Sequence, residues 1–198
     1  TVEVRGEGVF VSFDIEKISH WLARPEVNKR EEQLYLGHRL WRTARNLEPN
    51  AGFPGAVYIA LHTLAHALIS EFSVECGYGM ASIRERIYAS DYGKSLEMAG
   101  IMLYTSAPDS EGTLGGLVEL GKPNNLGRLM ESAIDKAKLC SSDPLCSEHD
   151  CTTDATLHGA ACHACAFASE TSCERGNKHL DRALLVPTFQ PLGSELFD

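Results

Sequence analysis

The sequence lacks three features that would each assign it to a large class of proteins. No secretory signal is visible, and no uninterrupted apolar run approaches the roughly 18 residues that span a bilayer. A positive balance of charge is also missing, since 27 acidic residues outnumber 18 basic ones and the formal charge is −9. A free-standing nucleic-acid-binding module usually has the opposite sign. We therefore expect a cytoplasmic protein that contacts no membrane and does not hold DNA by bulk charge.

A small basic stripe is the exception to the acidic balance. Along one predicted helix the sequence places Lys29, Arg30, Arg39, Arg42 and Arg45. Charged residues in such a run usually form the solvated face of a helix. We therefore expect these side chains in water rather than on a phosphate.

The chain is long enough to build a hydrophobic core. Its 198 residues are 43 % apolar, which is ordinary for a globular protein and does not require disulfide staples. The first residue is Thr1 rather than Met, so we expect a fragment of a larger protein that forms one structural unit. Within it we distinguish residues 1–50 as a strand and helices leading into the domain, 51–139 as an α/β core, 140–186 as a cysteine-rich zinc-binding lobe and 187–198 as a C-terminal tail.

The spacing of apolar residues predicts both strands and helices. Alternation predicts strands at 8–14 and 82–90, and a continuous apolar run predicts a strand inside a sheet at 99–107. Helical spacing predicts helices at 15–23, 28–47, 126–139 (capped by Asn125) and 177–185. Residues 55–72 are apolar almost all round, which is typical of a helix buried in the centre of a domain. The predicted fold class is α+β: a small sheet packed on helices, including a buried central helix, with a C-terminal cysteine-rich zinc lobe.

Six of the seven cysteines lie between Cys140 and Cys173, in a stretch with almost no apolar periodicity. A disulfide framework is disfavoured by the odd count, by the missing secretory signal and by the size of the domain. A thiol catalyst would require a Cys-x-x-Cys motif near a βαβ unit, whereas here the motif lies in a predicted irregular loop. Metal binding fits best, because thiolates on Zn²⁺ can fold a segment that has too little apolar core.

Two arms can supply the thiolates. Cys162 and Cys165 form a Cys-x-x-Cys knuckle whose sulfurs can face one point, and Cys140 and Cys146 can form the second arm across the turn SSDPL. Three further side chains compete as ligands: Cys173, Cys151 and His149. An iron–sulfur cluster is an alternative to zinc. A site made only of thiolates leaves no open position, so it predicts a structural metal rather than a catalytic one.

A second pair of potential ligands lies on the predicted central helix. His62 and His66 are four residues apart and share one face. The His-Glu-x-x-His signature of zinc proteases is missing, because Thr63 stands where that motif has its glutamate. We expect two core histidines bonded to backbone or carboxylates. The alternative is a second metal site in a metal-dependent hydrolase or nuclease, with a third ligand from Asp109 or Glu111.

Four segments resemble the zinc-binding domain found at the C-terminal end of MrfA-like DExH helicases and in DrmB of the DISARM anti-phage system. They are ALHTLAHALI, YTSAPDSEGTLGGL, CSSDPLC and HGAACHACAFASETSCERGNKHLDRALL, and the resemblance covers about residues 53–186. Within them, SDPLC, ACHAC, ETSCE and LDRALL are most similar to the DrmB-like branch. The sequence departs from the MrfA-like pattern in the 15 residues between Cys146 and Cys162, where that pattern is much tighter.

The resemblance implies a bacterial, non-catalytic accessory domain with a structural Zn²⁺, acting in anti-phage defence. In the family the ATPase belongs to a helicase, so the implied partner is an SNF2-like or DExH helicase, and DNA is reached through the complex. The family's cysteine cluster corresponds to Cys140, Cys146, Cys162 and Cys165, and Cys173 also matches a family cysteine.

Overall fold

Three strands form a small antiparallel sheet in the computed structural model, which describes residues 6–105, 116–188 and 192–197. The strands are β1 (Gly8–Ser12), β2 (Ile83–Ala89) and β3 (Ala99–Thr105), in the order β1-β3-β2. The central strand, β3, aligns its Ile101 with Val11 on one side and with Ile87 on the other. All three lie within the ranges predicted from the sequence, and β1 and β2 are shorter than their predicted ranges.

Strand β2 places a carboxylate in the core. Its side chains alternate strictly, so Ile83, Glu85 and Ile87 are buried while Arg84 and Arg86 are exposed. A strand turns successive side chains to opposite faces, which puts Glu85 on the same apolar face as the two isoleucines. The only acidic residue of this strand therefore points towards the helices that cover the sheet.

In the described part of the chain, five α-helices accompany the sheet: α1 (Ile15–Leu22), α2 (Pro25–Thr43), α3 (Gly55–Cys76), α4 (Gly116–Leu120) and α5 (Pro123–Ala137). Helix α3 is the central one and packs on β2, β3 and α5. Among the described residues it alone is long and apolar enough to cross a membrane, but 83 % of its most apolar window is buried inside the fold. It ends at Gly77, whose φ of 69° is the left-handed conformation that glycine adopts without strain. These elements confirm the predicted α+β class and its buried central helix.

Observed and predicted helices differ in their bounds: α2 spans Pro25–Thr43 rather than 28–47, and α3 continues to Cys76. Helix α5 begins at Pro123, before Asn125. Proline is favoured at the first helical position because the backbone N–H that it lacks would have no partner within the helix. The expected helix at 177–185 is reduced to the 3₁₀ turn Arg182–Leu184. Asn177 and His179 have φ values of 59° and 60°, and residues in the left-handed region cannot continue a right-handed helix.

The basic stripe on α2 is solvated with one exception. Lys29, Arg39 and Arg45 are exposed, but Arg30 is 8 % exposed and turns inward. Its Nε and Nη2 donate to the two oxygens of Asp181, at 2.7 and 3.2 Å. This buried ion pair joins α2 to the chain just before the 3₁₀ turn, and it corrects the expectation that all five basic side chains lie in water.

The C-terminal residues also pack on this core. The Ser194 hydroxyl donates to the Ala183 carbonyl at 2.9 Å, and the Ser194 carbonyl accepts from the Trp21 indole at 3.0 Å. Leu196 and Phe197 pack against the hydrophobic core. The described part of the tail, residues 192–197, therefore lies against α1 and the 3₁₀ turn.

Candidate metal centres

The cysteine-rich lobe contains no regular structure of its own. Residues 138–181, all of them described, form turns and bends without a helix or a strand. The first turn follows α5, where Cys146 N donates to the Ser142 carbonyl at 3.0 Å. In the second turn, the amides of Cys165 and Ala166 both donate to the Cys162 carbonyl. Each turn brings two cysteines to the same side of the chain.

The two turns place four thiols in one cluster, which we call the four-cysteine cluster: Cys140, Cys146, Cys162 and Cys165. All four sulfurs lie within 4.8 Å of one another. Individual Sγ–Sγ distances are 3.5 Å for Cys140–Cys162, 3.7 Å for Cys146–Cys165 and 3.8 Å for Cys162–Cys165. Four thiolates at about 2.3 Å from a tetrahedral Zn²⁺ lie about 3.8 Å apart, so this geometry fits zinc.

The same distances disfavour a disulfide framework. All seven cysteines are free, and a disulfide would bring two sulfurs to about 2.05 Å. Cys151 belongs to no cluster, since its buried thiol faces the Gln33 carbonyl at 3.5 Å. Burial raises the pKa of this thiol to about 11, which keeps it protonated at neutral pH. His149 also lies outside the cluster, bonded to the Thr156 hydroxyl at 2.7 Å.

A buried arginine supports the four-cysteine cluster from behind. Arg182 is 1 % exposed, and its Nη1 donates to the Ala137 carbonyl at 2.8 Å. Its Nη2 donates to Asp143 Oδ1 at 2.9 Å and lies 3.5 Å from Cys146 Sγ. Asp143 in turn accepts from the Cys140 amide at 2.8 Å. The guanidinium thus fixes the first turn and partly offsets the negative charge that four thiolates would carry around a divalent ion.

The thiols of the four-cysteine cluster differ in pKa. The hydrogen bond from Cys165, helped by Arg182 and opposed by burial, lowers the pKa of Cys146 to about 5. The same hydrogen bond, together with burial, raises the pKa of Cys165. Cys146 therefore ionises more readily than Cys165, and the thiolate is the form that binds metal.

A second cluster of ligand atoms lies deeper in the fold, which we call the His–Glu–Cys cluster: His62, His66, Glu85 and Cys173. All four residues are buried, and their ligand atoms lie within 4.8 Å of one another. His62 Nε2 is 2.9 Å from Glu85 Oε1 and 3.1 Å from Cys173 Sγ, while His66 Nε2 is 3.3 Å from the same carboxylate oxygen. Cys173, the expected competitor for the zinc lobe, is thus placed with the histidines instead.

Three elements meet at this second cluster. Helix α3 supplies His62 and His66 from adjacent turns, β2 supplies Glu85, and the turn around Cys173 supplies the thiol. The amides of Arg175 and Asn177 point at the Cys173 sulfur, at 3.4 and 3.2 Å. The expected third ligands, Asp109 and Glu111, lie outside the described residues.

The acidic members of the second cluster are held in their charged forms. Burial would raise the pKa of Glu85, but hydrogen bonds from His62 and His66 outweigh it and lower that pKa to about 2. Burial likewise opposes ionisation of Cys173, yet the same two histidines lower its pKa to about 6. The reciprocal effect raises the pKa of His66 to about 10, against the opposing influence of burial. A carboxylate and a thiolate therefore face two imidazole Nε2 atoms.

The comparisons with known proteins agree with this picture. The family model for the MrfA Zn-binding domain (MZB) matches residues 64–166, just over half of the chain, and that range contains the whole four-cysteine cluster. A protein named DISARM protein DrmB, from Bacillus paralicheniformis (strain ATCC 9945a / NCIMB 11709 / CD-2), is 43 % identical over 197 residues. That alignment covers 99 % of this chain and 34 % of the relative, so the chain spans about a third of the relative's length. The chain belongs to the family of MrfA Zn-binding domains.

Proposed function

We propose that this chain is a non-catalytic accessory domain of a DISARM-type, DrmB-like defence protein, folded around a structural Zn²⁺ on Cys140, Cys146, Cys162 and Cys165. The observation that carries the proposal is the convergence of four sulfurs, at tetrahedral spacing, in a lobe without helix or strand. Binding a structural zinc ion supplies about 10–16 kcal/mol in small zinc-finger peptides, which is enough to order a segment with little core.

The proposed partner is an SNF2-like or DExH helicase, which would provide the ATPase. Two exposed leucines beside the zinc lobe suit a docking surface: Leu139 is 75 % exposed and Leu145 is 82 % exposed, and each directly precedes a ligand cysteine. Exposed apolar side chains of this size gain free energy when a partner covers them. We propose that the helicase contacts the lobe here.

DNA engagement is proposed to occur through the complex. The formal charge of −9 opposes binding to a polyanion, and the stripe on α2 loses Arg30 to a buried ion pair with Asp181. The isolated protein is therefore expected to show no specific DNA affinity in a fluorescence anisotropy titration at physiological salt. Tight binding that weakens steeply with added salt would contradict this part of the proposal.

A hydrolase or nuclease that uses His62 and His66 is the competing function. Catalytic metal sites keep an open coordination position that substrate or water can reach. The side chains of His62, His66 and Glu85 are 0 %, 1 % and 0 % exposed, so a substrate has no direct access to them. This burial favours the accessory role.

The first experiment measures zinc by elemental mass spectrometry in single Cys→Ser variants of the four-cysteine cluster. Each variant is expected to lose one zinc per chain relative to the unsubstituted protein. Cys151→Ser is the control, because Cys151 is a free, buried cysteine of the same lobe that faces only a backbone carbonyl. An unchanged zinc content in the four variants would overturn the assignment of these ligands.

The second experiment tests docking by co-purification with the helicase partner. Leu139→Asp and Leu145→Asp are expected to reduce the amount of helicase recovered, while zinc content stays unchanged. Val74→Asp is the control, since Val74 is 78 % exposed on α3 and thus equally tolerant of a charge. Full recovery with both leucine variants would exclude this surface as the docking site.

A further inference from the structure

The His–Glu–Cys cluster contains an unsatisfied buried oxygen. Glu85 Oε1 faces both histidines and accepts from the Glu174 amide at 3.3 Å, but Glu85 Oε2 has no hydrogen-bond partner among the described residues. The Glu85 side chain is 0 % exposed. Leaving a buried polar atom without a partner costs about 1–3 kcal/mol, and more when the group is charged. Such a group in a native fold calls for a ligand or a structural explanation.

The two histidines are oriented as metal ligands are. His62 Nδ1 lies 3.1 Å from the His179 carbonyl, and His66 Nδ1 lies 2.7 Å from the Ala166 carbonyl. A carbonyl oxygen only accepts, so each Nδ1 carries the proton that it donates. A metal ion would displace the Nε2 protons that the histidines otherwise donate to Glu85 and Cys173, which leaves a lone pair on each Nε2, and both Nε2 atoms face Glu85 Oε1. Metal-bound histidines almost always donate their other ring N–H in this way.

The charges of the cluster match a divalent cation. Two neutral imidazoles, one carboxylate and one thiolate carry two negative charges, which a divalent cation cancels completely. A neutral assembly avoids the large desolvation cost of a buried net charge. By contrast, a tetrathiolate zinc site keeps two negative charges, and in the zinc lobe the buried Arg182 lies beside them.

We propose that His62, His66, Glu85 and Cys173 hold a second zinc ion, in a closed structural site that is independent of the four-cysteine cluster. Nitrogen, sulfur and carboxylate ligands together are typical of zinc, with bonds of about 2.0–2.3 Å that place neighbouring ligand atoms about 3.3–3.7 Å apart. The observed separations of 2.9–3.3 Å from Nε2 to its neighbours need only a slight expansion to admit the ion.

This second site would hold the C-terminal segment on the core. Its ligands come from α3, from β2 and from the turn at Cys173, and these elements are far apart in sequence. The same turn is fixed to β2 by backbone contacts, since Glu85 N donates to the Ser172 carbonyl at 3.1 Å. The second zinc ion therefore adds a cross-link between the sheet, the central helix and residues 172–181, and four buried protein ligands leave no position for substrate.

The test is the metal content of the purified protein, prepared without chelators and without a polyhistidine tag. Two zinc ions per chain are expected in the unsubstituted protein, and one in each of Glu85→Gln and Cys173→Ala. Glu71→Gln is the matched control for the first variant, because Glu71 is a mostly buried carboxylate on α3 that pairs with Lys136 instead. Cys151→Ala is the control for the second, and both controls are expected to retain two zinc ions.

Other outcomes separate this proposal from the one for the zinc lobe. Glu85→Gln keeps the size of the side chain, so it preserves the fold better than removal of a histidine would. One zinc per chain that survives Glu85→Gln and Cys173→Ala but is lost in Cys162→Ser would overturn the second site and leave the proposed function intact. A single zinc ion that is lost in Glu85→Gln but retained in Cys162→Ser would support the second site and overturn the zinc site proposed on the four-cysteine cluster. Iron or copper as the second metal would overturn its assignment as zinc.

Discussion

Disrupting the buried ion pair between Arg30 and Asp181 directly tests how the C-terminal segment is held on the core. Asp181 Oδ1 accepts from the Ala160 amide at 2.9 Å and from the Ala183 amide at 3.1 Å, in addition to Arg30. Asp181 Oδ2 accepts from Arg30 Nε at 2.7 Å. Both carboxylate oxygens are therefore surrounded by donors. Asp181→Asn would preserve shape but place an amide NH₂ against donors in either orientation of the side chain.

The expected cost of Asp181→Asn is about 3–5 kcal/mol in the free energy of unfolding. Removing one partner of a buried ion pair leaves the other charge uncompensated, and measured losses have this size. Here the side chains are 9 % and 0 % exposed, so water cannot replace the lost carboxylate. A loss of this size is a large part of the roughly 5–15 kcal/mol that stabilises a domain.

The assay is urea-induced unfolding followed by circular dichroism, with the zinc concentration held constant because bound metal shifts the apparent stability. Asp91→Asn is the matched control. Asp91 pairs with Lys94 at 2.6 Å, but their side chains are 74 % and 70 % exposed. Water screens an exposed pair and competes for its hydrogen bonds, so the control is expected to change little.

A loss of less than about 1 kcal/mol for Asp181→Asn, comparable with the control, would refute the reasoning. The double variant Arg30→Met with Asp181→Leu gives a second check. Replacing a buried ion pair by apolar residues of similar volume is often nearly neutral, so the double variant is expected to be more stable than Asp181→Asn alone.

Four further perturbations have expected outcomes. Gly159→Ala should lower the free energy of unfolding by about 1–3 kcal/mol in urea, because its Cβ would lie 2.6 Å from atoms of both Arg30 and Asp181. Gly127→Ala should instead raise it by about 1 kcal/mol, since a Cβ at this position of α5 meets nothing within 4 Å, and a loss there would contradict the helix. Arg182→Met should weaken zinc binding at the four-cysteine cluster by about 10–100-fold in a chelator competition, and unchanged affinity would remove Arg182 from the support of that cluster. Zinc chelation should speed hydrogen exchange in residues 140–173 more than in α3, whose amides are protected by an apolar core, and equal exchange with and without zinc would contradict a metal-folded lobe.

Most of the fold was predictable because the spacing of apolar residues within a segment indicates whether it forms a helix or a strand. The apolar residues of α3, the alternation in β1 and β2 and the continuous apolar run of β3 indicated their structure without reference to the rest of the chain. The turns at Gly176, Asn177 and His179 gave a weaker signal: these residue types tolerate a left-handed backbone, but the helical spacing of the apolar residues after them outweighed it. The expected helix at 177–185 failed for that reason.

The candidate sites were predictable only in part. Spacing alone identified Cys162 and Cys165 as one arm, and the His62–His66 pair as one helix face. Glu85 was missed, although the two-residue period of the segment IRERI places it on the same face as Ile83 and Ile87. A charged residue at a core position of a strand is a signal for a buried ligand or ion pair. Arg182 carried no comparable signal, because an arginine within LDRALL is compatible with the exposed side of a helix.

The matched family range begins inside α3, which limits how this domain can be moved from one protein to another. The range 64–166 starts between His62 and His66 and stops before Cys173, Asp181 and Arg182. A fragment cut at these limits would retain the four-cysteine cluster but divide the central helix and discard Arg182 behind the cluster. The segment that the family model matches is therefore shorter than the segment that folds. A domain moved from one relative to another would have to include the residues from β1 to the 3₁₀ turn.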